Sequence, residues 1–218
     1  MEQRISLTES KEMLFAVCDK LIENKPYLTR LDGRIGDGDH GIGMRRGARA
    51  AREAMAADPP AQTVNELFRR MGQAMLSSMG GASGVVFGTF FLGAAKGCPD
   101  TDSIGGAELT DMIESGLEKV MKRGKAVEGD KTMVDALAPA VRAMKACPDD
   151  DPAEVTKAAC PAAGRGAEMT MQMTARHGHA RTLGERSLGH MDPGAASVCL
   201  IFEAMHEYLS GIKTGQDM

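Results

Sequence analysis

The stretch Ser6-Leu-Thr-Glu-Ser-Lys-Glu-Met-Leu-Phe-Ala-Val-Cys-Asp-Lys-Leu-Ile22 holds the pattern that decides the fold. Ser6 and Glu9 have the spacing of a capping box, which marks the beginning of a helix. The apolar residues that follow recur at intervals of three and four, so they form one stripe along a helix: Leu14, Val17, Cys18, Leu21 and Ile22. Pro26 and the loop after it are expected to end this helix.

The same periodicity continues along nearly the whole chain and predicts about eight helices and no strand. Pro139 lies inside the sixth helix and is expected to kink or divide it. No linker divides the chain, so the sequence predicts one all-α domain over residues 1–218. Short loops between sequential helices favour an antiparallel up-and-down bundle. The later helices are expected to begin close to these positions: Gly41, Thr63, Gly80, Ala107, Gly129, Asp151 and Asp192.

The composition argues against several classes of protein. A formal net charge of -4 and a pI near 5.8 do not supply the basic face that nucleic-acid binding requires. No apolar run is long enough to span a bilayer, and the first residues lack the apolar core of a signal peptide, so a cytoplasmic protein without membrane contact is expected. The 5 cysteines form no CxxC pair, which argues against a zinc site or a disulfide framework.

Three aspartates and a histidine occupy one glycine-rich stretch, Asp32-Gly-Arg-Ile-Gly-Asp-Gly-Asp-His-Gly41. Carboxylate oxygens are the ligands that magnesium prefers, and the glycines let the backbone turn tightly enough to bring such ligands together. A surface turn is the plain alternative, because Asp and Gly are ordinary turn residues. A calcium-binding structural bundle is a weaker alternative, since Asp32, Asp37 and Asp39 do not have EF-hand spacing and lack its final glutamate.

Four glycine-rich or acidic loops precede alternate predicted helices: residues 32–41, 80–84, 129–132 and 192–194. Alternate loops of an up-and-down bundle lie at the same end, so these four are expected to cluster. Free N–H groups at a helix start attract phosphate, and Gly80-Gly-Ala-Ser-Gly84 fits such a cradle, with Ser83 as a hydroxyl donor. Small residues there equally suit close helix packing. Neither GxxxxGK[ST] nor GxGxxG after a strand is present, which argues against a P-loop or Rossmann nucleotide site. The carboxylate cluster beside one or more phosphate cradles instead predicts a magnesium–nucleotide site for phosphoryl transfer.

The histidines have two interpretations each. His40 follows an aspartate of the predicted metal site, so we favour a contact with phosphate or ribose over a role in a turn. His177, His179 and His190 lie in the long loop Arg176–Gly194. This loop is either a solvated basic segment or a mobile cover over the phosphates that brings the charge of Arg181 or Arg186.

Six stretches, in this order, resemble the L subunit of bacterial dihydroxyacetone kinases, and the resemblance runs over nearly the whole chain. They are Gly36-Asp-Gly-Asp-His-Gly41, Leu76-Ser-Ser-Met-Gly-Gly-Ala-Ser-Gly84, Phe87-Gly-Thr-Phe-Phe91, Arg123-Gly-Lys-Ala126, Gly129-Asp-Lys-Thr-Met133 and Leu183-Gly-Glu-Arg-Ser-Leu-Gly-His-Met-Asp-Pro-Gly194.

The resemblance implies a closed barrel of eight antiparallel helices with ADP or ATP at one rim. It implies that Asp32, Asp37 and Asp39 hold two Mg²⁺ that bridge the phosphates, and that this chain carries no catalytic residue beyond the metal site. The implied nucleotide-binding residues are His40, Gly41, Ala82 and Ser83 at the phosphates and ribose, Gly124 and Met133 at the adenine, Asp192, Pro193 and Gly194 closing the site, and Arg181 above it.

The resemblance also implies partners. A separate K subunit would hold a short ketose, dihydroxyacetone or a relative such as erythrulose, and this chain would deliver the phosphoryl group to it. The donor is either exchangeable ATP or a phosphohistidine M subunit of the phosphotransferase system that recharges bound ADP. Gly43, His179 and Thr182 depart from the phosphotransferase-type pattern, where Asn, Arg and Tyr are usual. These departures leave the metal residues intact, and the oligomeric state, including a homodimer, stays open.

A second function from another class fits the same motifs. The chain would then be a non-catalytic nucleotide-sensing adaptor that docks on a transcriptional regulator and reports the bound nucleotide. Activity that appears only with a K subunit distinguishes the kinase subunit from the adaptor.

Overall fold

The computed structural model describes residues 3–216, which are mostly helical. Two short strands, β1 (Ile5–Ser6) and β2 (Ser103–Ile104), pair antiparallel and tie the start of the chain to the middle. The helices are α1 (Leu7–Glu23), α2 (Lys25–Ile35), α3 (His40–Ala56), α4 (Val64–Ser78), α5 (Gly81–Gly97), α6 (Gly106–Gly124), α7 (Val134–Ala146), α8 (Pro152–Met169) and α9 (Pro193–Gln216). Two 3₁₀ segments, Thr170–Gln172 and His179–Ser187, lie between α8 and α9.

The eight long helices form a closed ring. Each packs on the next in the order α1, α3, α4, α5, α6, α7, α8, α9, and α9 packs back on α1. The short α2 packs against α3 and α9. The predicted all-α closed barrel of about eight helices is therefore confirmed.

The helices alternate in direction around this ring. The first residues of α3, α5, α7 and α9 line one common cleft, and Met79 and Gly124, where α4 and α6 end, line it too. We call this the site end. At the other end, the far end, the start of α4 bonds to the loop before α6, and the start of α6 bonds to the loop before α8, through Val64 N–H to the Thr101 carbonyl and Gly106 N–H to the Asp150 carbonyl. Successive long helices thus run antiparallel, as predicted.

The helix α2 is a difference from the sequence prediction, which placed a loop after Pro26. The first helix does end near there, with Asn24 as its C-cap, but a new helix begins at once with Pro26 in its first turn. Proline suits this position because its missing N–H has no helical partner in the first turn. As a result Asp32 lies in the last turn of α2 rather than in a loop.

The helix α7 and the two short strands also differ from the sequence prediction. The helix α7 runs through Pro139 without being divided, and it begins only at Val134, after a turn formed by residues 129–133. The strands β1 and β2 were not predicted, because two residues are too few to show alternation.

The core lies inside the ring and consists mainly of aliphatic, methionine and phenylalanine side chains. Fully buried examples are Phe68, Phe91, Phe202, Met13 and Met44. All five cysteines are free thiols, two of them buried and three half-buried. Within residues 3–216, no helix combines the length and apolar character needed to cross a bilayer.

Candidate functional site

A cleft of about 500 Å³ opens at the site end. Its walls come from all four loops that the sequence predicted to cluster, so that prediction is confirmed. One half is polar and holds the aspartates and the start of α5. The other half is apolar and is lined by Val86, Phe87, Val120, Ala126 and Met133.

The carboxylates of Asp32, Asp37 and Asp39 form a cluster at the polar half. One oxygen of each lies within 4.8 Å of the others. Asp32 is largely buried at the end of α2, whereas Asp37 and Asp39 are exposed in the turn before α3. The cluster offers oxygen ligands on one side and open space on the other, which suits a hard cation that keeps further ligands.

Gly36 makes this close approach possible. A Cβ at this position would lie 2.2 Å from Oδ1 of Asp32, so any side chain would push the buried carboxylate away. Burial, followed by the negative charges of Asp37 and Asp32, raises the pKa of Asp39. The charges repel one another, and a bound cation would relieve that repulsion.

The first turn of α5 faces the cleft beside this cluster. Gly80 precedes it with φ +74°, and α5 begins without a side-chain cap. The backbone N–H groups of a helix start carry partial positive charge and bind anions such as phosphate. Arg46 adds positive charge to the same wall, where its guanidinium donates to the Met79 carbonyl.

His40 is buried beneath the polar half, with both ring nitrogens engaged. Its Nε2 lies 2.8 Å from Oγ of Ser197, and its Nδ1 lies 3.1 Å from Oγ of Ser83. Ser197 donates its proton to the Pro193 carbonyl, so Nε2 of His40 is the donor and Nδ1 accepts from Ser83. Burial lowers the pKa of His40 to about 4, which keeps the ring neutral. His40 therefore joins α5 to α9 and orients Ser83.

A buried lysine borders the cleft next to Asp192. Lys131 is 2% exposed, and Asp192 caps α9 by accepting from Ala195 N–H at 2.7 Å. Burial raises the pKa of Asp192 to about 7, and burial lowers the pKa of Lys131. In the sequence, Lys131 stands out only as part of the stretch Gly129–Met133, and Arg46 and Ser197 carry no signal, since all three look like ordinary helix or turn residues.

Residues 173–190 form the lid, which covers one side of the cleft. His177, Gly178, His179 and Ala180 line the cleft from this side. Nε2 of His179 lies 3.5 Å from Oδ2 of Asp37, so the lid reaches the carboxylate cluster directly.

The structure brings most of the predicted site residues together. The cleft is lined by Asp32, Asp37, Asp39, His40, Ala82, Ser83, Gly124, Met133, Asp192, Pro193 and Gly194. Gly41 is instead packed against α2, where a Cβ would lie 2.4 Å from the Lys25 carbonyl oxygen. Arg181 is exposed on the lid and is not part of the cleft wall.

The three departures from the phosphotransferase-type pattern lie in or near the cleft. Gly43 lines it, and a Cβ there would meet only the Met79 carbonyl at 3.7 Å, so the position has room for a side chain. Thr182 is exposed and donates to the His179 carbonyl at 2.8 Å within the lid.

Exposed apolar side chains are concentrated at the site end. Six large apolar residues of the described chain are 38% to 52% exposed, and all of them lie at the site end. We call them the apolar rim: Ile42, Leu76, Val127, Met169, Met171 and Leu188. A concentration of exposed apolar groups around a site is typical of a surface that binds another protein.

The closed helical barrel with this cleft defines a nucleotide-binding type of domain, and comparison with known proteins agrees. The family model described as the DAK2 domain matches residues 34–207. The chain belongs to this family, and the resemblance to L subunits found in the sequence is confirmed.

The relatives include both separate subunits and longer kinases. The chain is 42% identical to the Listeria innocua PEP-dependent dihydroxyacetone kinase 1, ADP-binding subunit DhaL, over 86% of its own length and 89% of that protein. It is 38% identical to the L-erythrulose 1-kinase of Mycolicibacterium smegmatis over 86% of its length, but spans only 33% of that protein.

A solved structure shows the same fold. The dihydroxyacetone kinase from C. freundii in complex with AMP-PNP and Mg²⁺ superposes with a TM-score of 0.73 and 29% sequence identity. The match covers 95% of this chain and 35% of that one. The chain thus corresponds to about a third of the single-chain kinases and to nearly all of a separate subunit.

Proposed function

We propose that this chain is the nucleotide-binding, phosphoryl-transfer subunit of a short-ketose kinase, folded as one domain. The observation that carries the proposal is the cleft, in which three carboxylates lie within 4.8 Å beside the uncapped start of α5. Carboxylates on one side and phosphates on the other are the usual environment of protein-bound magnesium. The relatives named as ADP-binding subunits and the AMP-PNP and Mg²⁺ complex support it.

The two halves of the cleft suit the two halves of a nucleotide. The start of α5 receives the phosphates through the backbone N–H groups of Ala82 and Ser83, because the hydroxyl proton of Ser83 is already donated to His40. The apolar half receives the adenine, with Gly124 and Met133 at its border, and Pro193 and Gly194 close the site beside the sugar. Asp32, Asp37 and Asp39 hold two Mg²⁺, which neutralise phosphate charge.

Phosphoryl transfer requires positioning and charge stabilisation more than covalent chemistry by the protein. This chain contributes the fixed carboxylates, the dipoles of the first turn of α5 and the lid that limits access of water. A second pocket, of about 40 Å³, lies at the far end beside Arg4, Glu9 and Asp151, too distant to present a ketose to the terminal phosphate, so the acceptor would come from a partner. We place that acceptor on a K subunit.

The apolar rim is the surface that would dock on the K subunit. It lies at the same end of the barrel as the cleft, and Ile42 lines the cleft itself, so a partner seated on it would bring its substrate to the terminal phosphate. The separate subunits among the relatives have lengths close to this chain, which fits a kinase assembled from several chains. Dihydroxyacetone and erythrulose are the two ketoses that the relatives support.

The exchange rate of the bound nucleotide distinguishes the two possible donors. Retained ADP that exchanges slowly would indicate a coenzyme recharged by a phosphohistidine M subunit. Rapid exchange of ADP for ATP would indicate direct use of ATP, with the space left by Gly43 as its structural basis.

The test of the proposed function is calorimetric titration of Mg·ADP into the wild-type chain and into Asp37→Ala. We expect Asp37→Ala to bind at least about a hundredfold more weakly, because one missing ligand exposes phosphate charge to the remaining carboxylates. Chelation of Mg²⁺ should abolish the difference between the two proteins.

Asp102→Ala is the matched control, since Asp102 is an exposed aspartate in the loop before β2, at the far end. Equal binding of Mg·ADP by wild type and Asp37→Ala would contradict the proposal. Ketose phosphorylation that appears only with a K subunit supports the kinase subunit, and nucleotide binding without activity in any such mixture would support the sensing adaptor instead.

A further inference from the structure

The lid narrows to a neck, where the segment that enters it (residues 170–175) lies beside the segment that leaves it (residues 187–192). Ala175 N–H donates to Oγ of Ser187 at 3.0 Å, and Gly189 N–H donates to the Met171 carbonyl at 2.7 Å. At the base of this neck, Asp192 N–H donates to Oγ1 of Thr170 at 2.9 Å. The segments that enter and leave the lid are therefore held side by side.

Lys131 lies under this neck and bonds to both sides of it. Its ammonium donates to the Thr170 carbonyl on the entering segment and to the His190 carbonyl on the leaving segment, each at 2.5 Å. The residue is 2% exposed and adopts φ +60°, a left-handed backbone conformation that is uncommon for a lysine. The surrounding contacts must outweigh both the burial of a charge and this backbone strain.

The preceding residue holds the lid at a third place. Oδ2 of Asp130 lies 3.1 Å from Nε2 of His177, and the Asp130 carbonyl accepts from Arg176 N–H at 3.1 Å. The N–H of Val127, followed by His177 and Arg176, holds the pKa of Asp130 below its usual value. Asp130 is 5% exposed, so this contact is also partly shielded from water.

The same short segment forms the wall of the nucleotide cleft. Thr132 and Met133, which follow directly, line the cleft, Met133 in its apolar half. Asp135 fixes the turn by accepting from Gly129 N–H and from Thr132 N–H, the latter at 2.7 Å. A displacement of residues 130–131 would therefore move the lid and the cleft wall together.

We propose that Asp130 and Lys131 are positioning residues that clamp the lid to the wall of the nucleotide cleft and thereby slow nucleotide release. Lys131 supplies the larger part, because its ammonium bonds to both sides of the neck, whereas the described lid contacts of Asp130 are with Arg176 and His177 on one side. The inference about release rests on the proposed nucleotide-binding function. The clamp itself is a property of the protein without nucleotide and does not depend on that function.

The experiment compares wild type with Lys131→Met, which keeps the length of the side chain and removes its charge. Amide hydrogen exchange of the lid, measured without nucleotide, should become about tenfold faster, the size expected when charge-assisted hydrogen bonds are lost. Exchange in α1 and α4 should stay at the wild-type level. Release of a fluorescent ADP analogue with Mg²⁺, followed by stopped flow, should also accelerate about tenfold.

Lys125→Met is the matched control, because Lys125 is an exposed lysine with φ +54° that lies six residues earlier in the sequence. It should leave lid exchange and ADP release unchanged. His177→Ala removes one contact to Asp130 and retains Lys131, so it should raise lid exchange by a smaller factor, about threefold. If Lys131→Met does not fold, lid exchange in His177→Ala tests the clamp instead.

The outcomes separate the two proposals. Wild-type lid exchange in both Lys131→Met and His177→Ala, or an equal effect of Lys125→Met, would overturn the clamp. Faster lid exchange with unchanged ADP release would overturn its role in nucleotide retention. Faster lid exchange in a chain that binds no ADP, even as wild type, would retain the clamp and reject the proposed function.

Discussion

The capped helix starts of the far end and the start of α5 at the site end treat the same structural element in opposite ways. At the far end, Ser6 and Glu9 form a capping box on α1, and Asp151 accepts from Ala153 N–H at the start of α8. At the start of α6, Gly105 N–H donates to Glu108 and Ala107 N–H to Asp150. At the site end, α5 begins with glycines and without a side-chain cap.

This difference separates stability from binding. Every helix start carries unsatisfied N–H groups and a partial positive charge. The far end satisfies them with the protein's own carboxylates, which stabilises the folded chain. The site end leaves the start of α5 available and collects its carboxylates in the same cleft, where a cation can join them to a bound phosphate.

The largest expected effect comes from giving the start of α5 a carboxylate in its first turn, as the helix starts of the far end have. Ala82→Asp puts a carboxylate in the first turn of α5, where it would repel the phosphates. One added unit charge at about 4 Å contributes roughly 4 kcal/mol at an effective dielectric constant near 20, so Mg·ADP affinity should fall by at least about a hundredfold. The stability of the folded state should change little, because the helix dipole favours an acid there by about 0.5 kcal/mol and offsets part of the repulsion from the three aspartates.

Ala107→Asp is the corresponding change at the far end. The start of α6 already holds Asp150 and Glu108, so a third carboxylate should lower the free energy of unfolding and leave Mg·ADP affinity unchanged. Calorimetric binding and chemical denaturation of both variants measure the two effects. Similar effects of the two substitutions on affinity would show that the ends are not specialised.

A smaller effect is expected from removing a far-end cap. Asp151→Ala should lower the free energy of unfolding by about 1 kcal/mol, the usual contribution of an N-cap, with no change in ADP affinity. Asp151→Asn is the control, because an asparagine caps nearly as well and should retain most of the stability. A loss of ADP affinity in Asp151→Ala without loss of stability would contradict the division between the ends.

The smallest effect at neutral pH concerns His40, which lies at the site end but is shielded from water. Its pKa is lowered to about 4 by burial, so the folded protein binds fewer protons than the unfolded chain between that pH and the ordinary pKa of 6.5. Stability should therefore fall as the pH drops from 6.5 towards 4 and should not depend on His40 above 6.5.

Imidazole NMR signals measure this directly. The His40 ring should show the Nε2-protonated form and no titration between pH 6 and 8. A titration midpoint near 6.5 would mean that the ring is charged near neutral pH and that the hydrogen bonds to Ser83 and Ser197 do not hold it as described.

Much of the fold was predictable because its signals are local. The capping box of Ser6 and Glu9 and the stripe that follows it depend on spacings of three and four residues, which the geometry of a single helix fixes. The clustering of four loops followed from counting alternate helices. The error at α2 arose because proline suits both the end of one helix and the first turn of the next, and only packing against α3 and α9 distinguishes the two.

The sequence by itself determined the helices, the three aspartates and the glycines that let them approach. The tertiary structure decided which groups are buried and what they bond to. Lys131 resembles a solvated turn residue until the lid closes over it, and Ser197 resembles any helical serine until ring closure brings α9 to His40. Local geometry depends on neighbouring residues. Burial and pKa depend on segments distant in the chain, which meet only when the barrel closes.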